Sequence, residues 1–278
     1  PVDGSHSCLH AKLFASLIAK KFDSKVTVVH VVSHEFMHPE LKAQYQLPHS
    51  ILHKLDESYM EAGKKIIKNA KDLFEEAKIE VDAKLVTHED PAEFLLDFIK
   101  KQKYDLVVIG NRADSQSERY SLGSVTEKVA RHSACPVLIV KNKPKLKRML
   151  VAVDGSKHAE KALDYSVQLA KKFDASLALV HVEEDKLVRI GGPQVVDCLG
   201  TVGECILKDA SQKTEGIPID KIMELGSPAE VIIKVGKKAN VDIIAVGSRG
   251  LSSVGRYLLG SVSDDISMHA RSSVLIVK

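Results

Sequence analysis

The sequence predicts an α/β protein built from two tandem parallel-sheet domains, and three observations carry that expectation. The chain repeats itself, each repeat alternates apolar strands with amphipathic helices, and glycine-rich turns close strands at matching places. A length of 278 residues accommodates two such units.

The repeat is the firmest of the three. Val2-Asp3-Gly4-Ser5 returns as Val153-Asp154-Gly155-Ser156, an offset of 151 residues. The same offset carries Ala19-Lys20-Lys21-Phe22-Asp23 onto Ala170-Lys171-Lys172-Phe173-Asp174, and Val29-His30-Val31 onto Val180-His181-Val182. Further on the offset is 137: Pro91-Ala92-Glu93 matches Pro228-Ala229-Glu230, Gly110 matches Gly247, and Gly123-Ser124-Val125 matches Gly260-Ser261-Val262. The first copy therefore holds a net surplus of 14 residues before Pro91, expected within residues 33–50, where Pro39 and Pro48 stand. Copy one ends at Val140-Lys141, and the polar stretch 142–146 reads as a linker, giving domains at 1–141 and 147–278.

The elements follow in order from the second copy. Residues 148–153 form a short apolar run ending at Asp-Gly-Ser, a strand leading into a turn. Ala159, Ala162, Leu163, Val167 and Ala170 recur at helical spacing through residues 158–173. Residues 176–182 read as a strand, 203–214 as a helix and 219–225 as a strand. Pro228 suits a first helical turn, with Val231, Ile232 and Val235 on the buried face. Residues 241–246 are almost continuously apolar, as a parallel strand covered on both faces requires. A helix over 261–269 and a strand over 274–277 complete five strands alternating with four helices, hence a parallel sheet with right-handed crossovers. Pro1 aligns with Ala152, so the first copy shows no counterpart of residues 148–151. Either residues precede Pro1, or the first sheet is one strand poorer.

Composition narrows the function classes. Hydrophobic residues make up 44% and charged residues 28%, with no Trp, which suits an aliphatic core. No apolar run approaches the roughly 18 residues of a membrane span, and no signal-peptide pattern opens the chain. A net charge of +3, evenly spread, argues for neither nucleic acid nor a membrane surface as partner. Cys8, Cys135, Cys198 and Cys205 contain no CxxC pair and read as reduced thiols in a cytoplasm.

In open parallel sheets, ligands bind beyond the carboxyl ends of the strands, where the strand order reverses. In copy two, Asp154 closes strand one and Gly247-Ser248-Arg249-Gly250 closes strand four; Gly260-Ser261 then opens a helix. The spacing is G-x2-G-x9-G-S. Glycines let a backbone approach a phosphate, and the free amides of a helix start favour an anion. This is neither a Walker A loop nor a GxGxxG turn. A second reading makes Ser261 a plain helix N-cap with Asp264 as its capping-box partner, which is compatible with anion binding.

The Asp-Gly-Ser turn, the Val-His-Val strand end, the 247–261 loop and the closing Val274-Leu275-Ile276-Val277 together resemble the universal stress protein family, in both copies and over nearly their whole length. The resemblance implies two tandem doubly wound five-stranded parallel-sheet domains of strand order 3-2-1-4-5, adenine-nucleotide alpha-hydrolase-like. It implies an ATP-binding, nucleotide-dependent stress-response protein, with ATP (or AMP or ADP) at the crevice of strands one and four, accompanied by Mg2+ or Mn2+. It implies pairing of the domains through their fifth strands, an intramolecular pseudo-dimer, with a homodimer as a further level. By position, Ala152, Asp154 and Val182 would surround adenine and ribose. Gly247, Ser248, Arg249, Gly250, Ser252 and Ser253 would follow ribose and phosphates, and Gly260, Ser261, Val262 and Ser263 would hold the phosphates largely through amides.

The copies differ where this chemistry lies. Copy one keeps Asp3, Val31, Gly110, Asn111, Arg112, Gly123, Ser124, Val125 and Thr126 as a weaker second site, but Ala113 replaces the second loop glycine. Asp114 and Glu118 stand where copy two has Leu251 and Gly255, unfavourably near a polyphosphate. ATP is therefore expected mainly in the second domain, with the first binding it weakly, binding AMP, or acting as a structural partner. No catalytic residue is assigned, because no base stands at a defined spacing; slow ATP hydrolysis or phosphotransfer is the alternative. His30 and His181 read as packed, hydrogen-bonded imidazoles. His6 and His10, His34 and His38, and His49 and His53 are each four apart but read as solvated, and no metal site is assigned.

Overall fold

A computed structural model describes residues 1–33, 49–111, 122–250 and 259–278, leaving aside the side chains of residues 49 and 185–198. The first half runs α1 (His6–Phe22), β1 (Val26–Val32), α2 (His49–Glu76), β2 (Val81–Thr87), α3 (Pro91–Gln102), β3 (Val107–Gly110), α4 (Ser124–His132) and β4 (Val137–Val140). The second runs β5 (Arg148–Ala152), α5 (Lys157–Phe173), β6 (Ser176–Glu184), α6 (Asp185–Gln212), β7 (Ile219–Gly226), α7 (Pro228–Lys238), β8 (Ile243–Gly247), α8 (Ser261–His269) and β9 (Ser273–Val277). Among the described residues, no helix is long and apolar enough to cross a membrane.

The repeat extends to the caps. Ser5 and Ser156 are the N-caps of α1 and α5, accepting from the Cys8 and Ala159 amides at 3.2 Å each. Both helices end on a left-handed aspartate, Asp23 and Asp174, each with φ of 53°, a conformation that Asp tolerates better than most residues. Lysine pairs in both last turns complement the helix dipole.

In the second half all strand pairs are parallel, in the order β7-β6-β5-β8-β9. That is the expected order 3-2-1-4-5. Every residue of β8 and β9 is buried, matching their unbroken apolar runs. In the first half β1 pairs with β2 and β3 with β4, both parallel. Four of the five strand positions are thus filled among the described residues. A cavity of about 720 Å³ is lined by Val26 and Val28 of β1, Val108 of β3, and Phe22 and Leu106.

β4 pairs antiparallel with β9, Leu138 facing Leu275, so one seven-stranded sheet runs β3-β4-β9-β8-β5-β6-β7 across both halves. Alternate residues of β4 feed opposite faces. Val137 and Ile139 pack in the same cluster as Leu150, and Leu138 and Val140 in the same cluster as Met149 and Val151. The core is therefore continuous across the join on both sides of the sheet.

One element departs from expectation. The helix expected over 203–214 begins at Asp185 and runs through Gly191-Gly192-Pro193. These three residues weaken a helix locally, yet Leu207 and Ala210, further along, bury against the sheet and anchor a continuous helix. The surplus stretch of the first copy lies largely outside the described residues, as do Arg112, Ala113, Asp114, Glu118, Ser252 and Ser253.

Candidate functional site

β5 pairs with β6 on one side and β8 on the other, so the strand order reverses at the carboxyl ends of β5 and β8. Ala152 ends β5 beside Val180, and Val182 lies further along β6. The Val153 amide donates to the Val180 carbonyl (2.9 Å) as the chain leaves the sheet. Asp154 follows, its Oδ1 accepting from the Ser156 amide at 2.9 Å. Gly155 between them has φ of +79°, the position in the turn that needs glycine.

The glycines of the second loop are explained by close approach rather than by dihedral. A Cβ on Gly247 would lie 2.6 Å from the His158 carbonyl carbon and 2.8 Å from the Ala159 nitrogen, because the first turn of α5 rests on the end of β8. A Cβ on Gly250 would lie 2.8 Å from Asp154 Oδ2, so the absent side chain brings the two strand-end loops together. Ser248 is buried, donates its amide to the Val277 carbonyl (2.7 Å) and accepts from the Gly260 amide (2.8 Å). The two ends of the loop are thereby tied to each other and to β9.

α8 starts at this point. Its N-cap is Gly260, with no side-chain hydrogen bond to the cap, and Ser261 is its first helical residue. The alternative with Ser261 as N-cap and Asp264 as capping-box partner is therefore corrected. Asp264 instead takes a bidentate bond from Arg131 of α4, Nε to Oδ1 at 3.1 Å and Nη2 to Oδ2 at 2.8 Å. Ser263 is buried and its hydroxyl donates to the Gly247 carbonyl (2.6 Å), anchoring the helix start to the end of β8. The first-turn amides of α8 are left without a side-chain cap at the mouth of the crevice.

The first half repeats much of this. Asp3 Oδ1 accepts from the Ser5 amide (2.9 Å), and Gly4 has φ of +80°. Thr126 donates to the Gly110 carbonyl (2.8 Å), Gly123 is the N-cap of α4, and its amide donates to Asn111 (2.9 Å). Val125 packs against the core beside β3. A Cβ on Gly110 would meet Ser7, which stands where the second copy has His158.

The strand-end histidines are held in place. His181 Nδ1 lies 2.8 Å from the Val153 carbonyl and Nε2 lies 3.0 Å from Glu183 Oε1. His30 Nδ1 lies 2.7 Å from the Val2 carbonyl. His158 is the titratable group that the sequence reading passed over. Burial, Arg249 and Lys161 push its imidazole below the ordinary value, against an opposing pull from Asp154. Its signal was available: it lies four residues after Asp154, on the helix turn facing the loop.

The universal stress protein family matches residues 1–141 and again 145–278. The chain belongs to the universal stress protein family, as a tandem of two such units. Universal stress protein YxiE of Bacillus subtilis is 34% identical over 145 residues, covering 47% of this chain and 98% of its own. A universal stress protein of Methanocaldococcus jannaschii is likewise 34% identical, over 52% of this chain and 81% of its own. The crystal structure of a universal stress protein from Archaeoglobus fulgidus superposes with a TM-score of 0.71 at 26% identity, covering 99% of this chain and 96% of that one.

Proposed function

We propose that this tandem universal stress protein is a nucleotide-dependent regulatory protein that binds adenine nucleotide, ATP foremost, in its second unit, residues 147–278. The observation that carries the reading is the start of α8. Its uncapped first-turn amides face a crevice bordered by Asp154 and the Gly247–Gly250 turn. Ala152, Asp154 and the Val182 backbone hold adenine and ribose. Gly247, Ser248, Arg249, Gly250, Ser252 and Ser253 follow the ribose and phosphates, with Gly260 to Ser263 at the phosphates. Mg2+ or Mn2+ travels with the phosphates. The unit at 1–141 forms an intramolecular pseudo-dimer with the second, a reading supported by the β4–β9 pairing. Its own site is the weaker one.

Mass spectrometry of nucleotide released from the purified full chain, with stoichiometry, tests this. Adenine nucleotide at substoichiometric to single occupancy is expected. No released nucleotide and no heat on titrating ATP with Mg2+ would overturn it. A second reading, slow ATP hydrolysis, is favoured by His158, whose depressed pKa leaves a neutral imidazole near Asp154 and Arg249 at pH 7. Turnover lost in His158→Asn with ATP binding retained would support it; equal turnover would remove it.

A further inference from the structure

Two lysines occupy equivalent positions in the two halves, each directly after a Val-Leu-Ile-Val strand. Lys141 follows β4, yet its ammonium donates to the carbonyls of Ser267 (2.7 Å), Met268 (3.3 Å) and Ala270 (2.7 Å), at the carboxyl end of α8 in the other half. Lys278 follows β9 and donates to the carbonyls of Ala130 (2.7 Å) and Arg131 (3.4 Å), at the carboxyl end of α4. Because β4 and β9 run antiparallel side by side, each strand ends under the neighbouring half's last helix. The last carbonyls of a helix lack intrahelical partners, and a cation there also meets the negative end of the dipole.

The exchange is not symmetric. Arg131 reaches across to Asp264 in the first turn of α8, and also meets Glu127 of its own helix at 3.1 Å. The position equivalent to Arg131 in the second half is Met268, so α4 receives no such contact from an equivalent arginine. An acid in the first turn of a phosphate-facing helix would repel the phosphate, and a bidentate guanidinium offsets its charge. The first half therefore holds α8 at both ends with two cations.

We infer that Lys141 and Arg131 are positioning residues for the second half's nucleotide site, so that the first unit sets the affinity of the second. This rests on the nucleotide reading above for its ligand but not for its geometry. Lys141 fixes the carboxyl end of α8, and Arg131 fixes and neutralises its amino end, where the amides of Ser261 to Ser263 would meet phosphate. A first unit with a weakened site of its own then has a role: it is the mount on which the working helix is set.

The test uses the full chain with Lys141→Met, Lys141→Arg and Arg131→Gln. Titration with MgATP reads affinity, and hydrogen exchange without nucleotide reads the bonded amides of α8 from Asp264 to Ala270. Loss of affinity by roughly tenfold is expected for Lys141→Met and Arg131→Gln, within the usual span of coupling between sites. Faster exchange of the bonded amides of α8 is expected in both, with recovery toward wild type in Lys141→Arg. Wild-type affinity and exchange in both variants would overturn the inference. So would an affinity loss in Lys141→Met that Lys141→Arg shares in full, since that marks a packing role without the charge. If Lys141→Met does not fold, the partly exposed Arg131 still decides the question. If wild type binds no ATP, the nucleotide reading fails, while the exchange measurement still judges the clamp.

Discussion

The two halves share one turn chemistry and differ in how closely the backbone presses on it. In both, an Asp-Gly-Ser turn closes a strand position and a hydroxyl on the last helix, Thr126 or Ser263, holds the carbonyl of a strand-end glycine. In the second half the first turn of α5 lies against Gly247, with the His158 carbonyl carbon 2.6 Å and the Ala159 nitrogen 2.8 Å from a would-be Cβ; in the first, the equivalent backbone atoms of Ser7 and Cys8 stand 3.0 and 3.1 Å from one on Gly110, with the Ser7 hydroxyl oxygen at 2.9 Å. Both crevices are therefore fixed by backbone against backbone, the second more tightly. A tandem repeat can keep its scaffold in both copies while the closeness of one shared approach differs between them.

The largest expected effect separates the halves directly. Gly247→Ala should destabilise by about 3 kcal/mol and Gly110→Ala by about 2 kcal/mol, within the range for forced overpacking, because backbone stands against both and closer to Gly247. Urea denaturation of the two variants measures both. Equal costs would show that the closer approach in the second half carries no extra penalty, and the distinction would fall.

Gly250→Ala comes next, because its methyl would sit 2.8 Å from Asp154 Oδ2. The carboxylate must shift, and ATP affinity in the second half should drop by about tenfold, or about 1.4 kcal/mol. Ala113→Gly in the first half should raise affinity at the weaker site, which calorimetry would report as added stoichiometry. If neither change moves binding, the glycine-to-alanine difference is not what distinguishes the two copies.

Ser263→Ala and Thr126→Ala each remove a hydroxyl bond to a strand-end carbonyl, and each should cost about 1 kcal/mol. Because the bond is common to both halves, the costs should match, and a gap much beyond that value in denaturant midpoints would show that the anchoring differs too.

Much of this was legible in the residues, and what was not has physical reasons. The repeat, the parallel sheet and the Asp-Gly-Ser turns follow from periodicity and turn chemistry, which are local, whereas the second half's strand order was legible only through the family resemblance. The start of α6 was not legible, because Gly191, Gly192 and Pro193 argue locally for a loop and only tertiary packing overrides them. Gly247 pointed to a close approach, but the approaching group, the α5 backbone, belongs to the fold. Ser261 looked like a cap because serine prefers that position, yet the chain places Gly260 there and uses Ser263 as the anchor. Lys141 and Lys278 stood in plain register after identical strands, but their partners lie across the join, which no single repeat contains.

The smallest effect tests that join through pH. Burial pushes both Lys141 and Lys278 down to about 8 from 10.5. Carbonyls of α8 face Lys141, with no ionisable neighbour contributing; Cys135 and Arg249 act on Lys278 in opposite directions. Between pH 8 and 10.5 the unfolded chain binds more protons than the folded one, so these lysines make stability rise with pH in that window. Burial raises the Cys135 thiol above 9.0, which slopes the other way at higher pH, so the rise is read best from pH 8 to 9. It should vanish in a Lys141→Met, Lys278→Met double variant. The clamp on α8 needs the ammonium, however, so ATP affinity should fall over the same interval in which stability rises. Opposite slopes would assign the proton to a buried group that positions the helix at the fold's expense, and parallel slopes would locate it elsewhere.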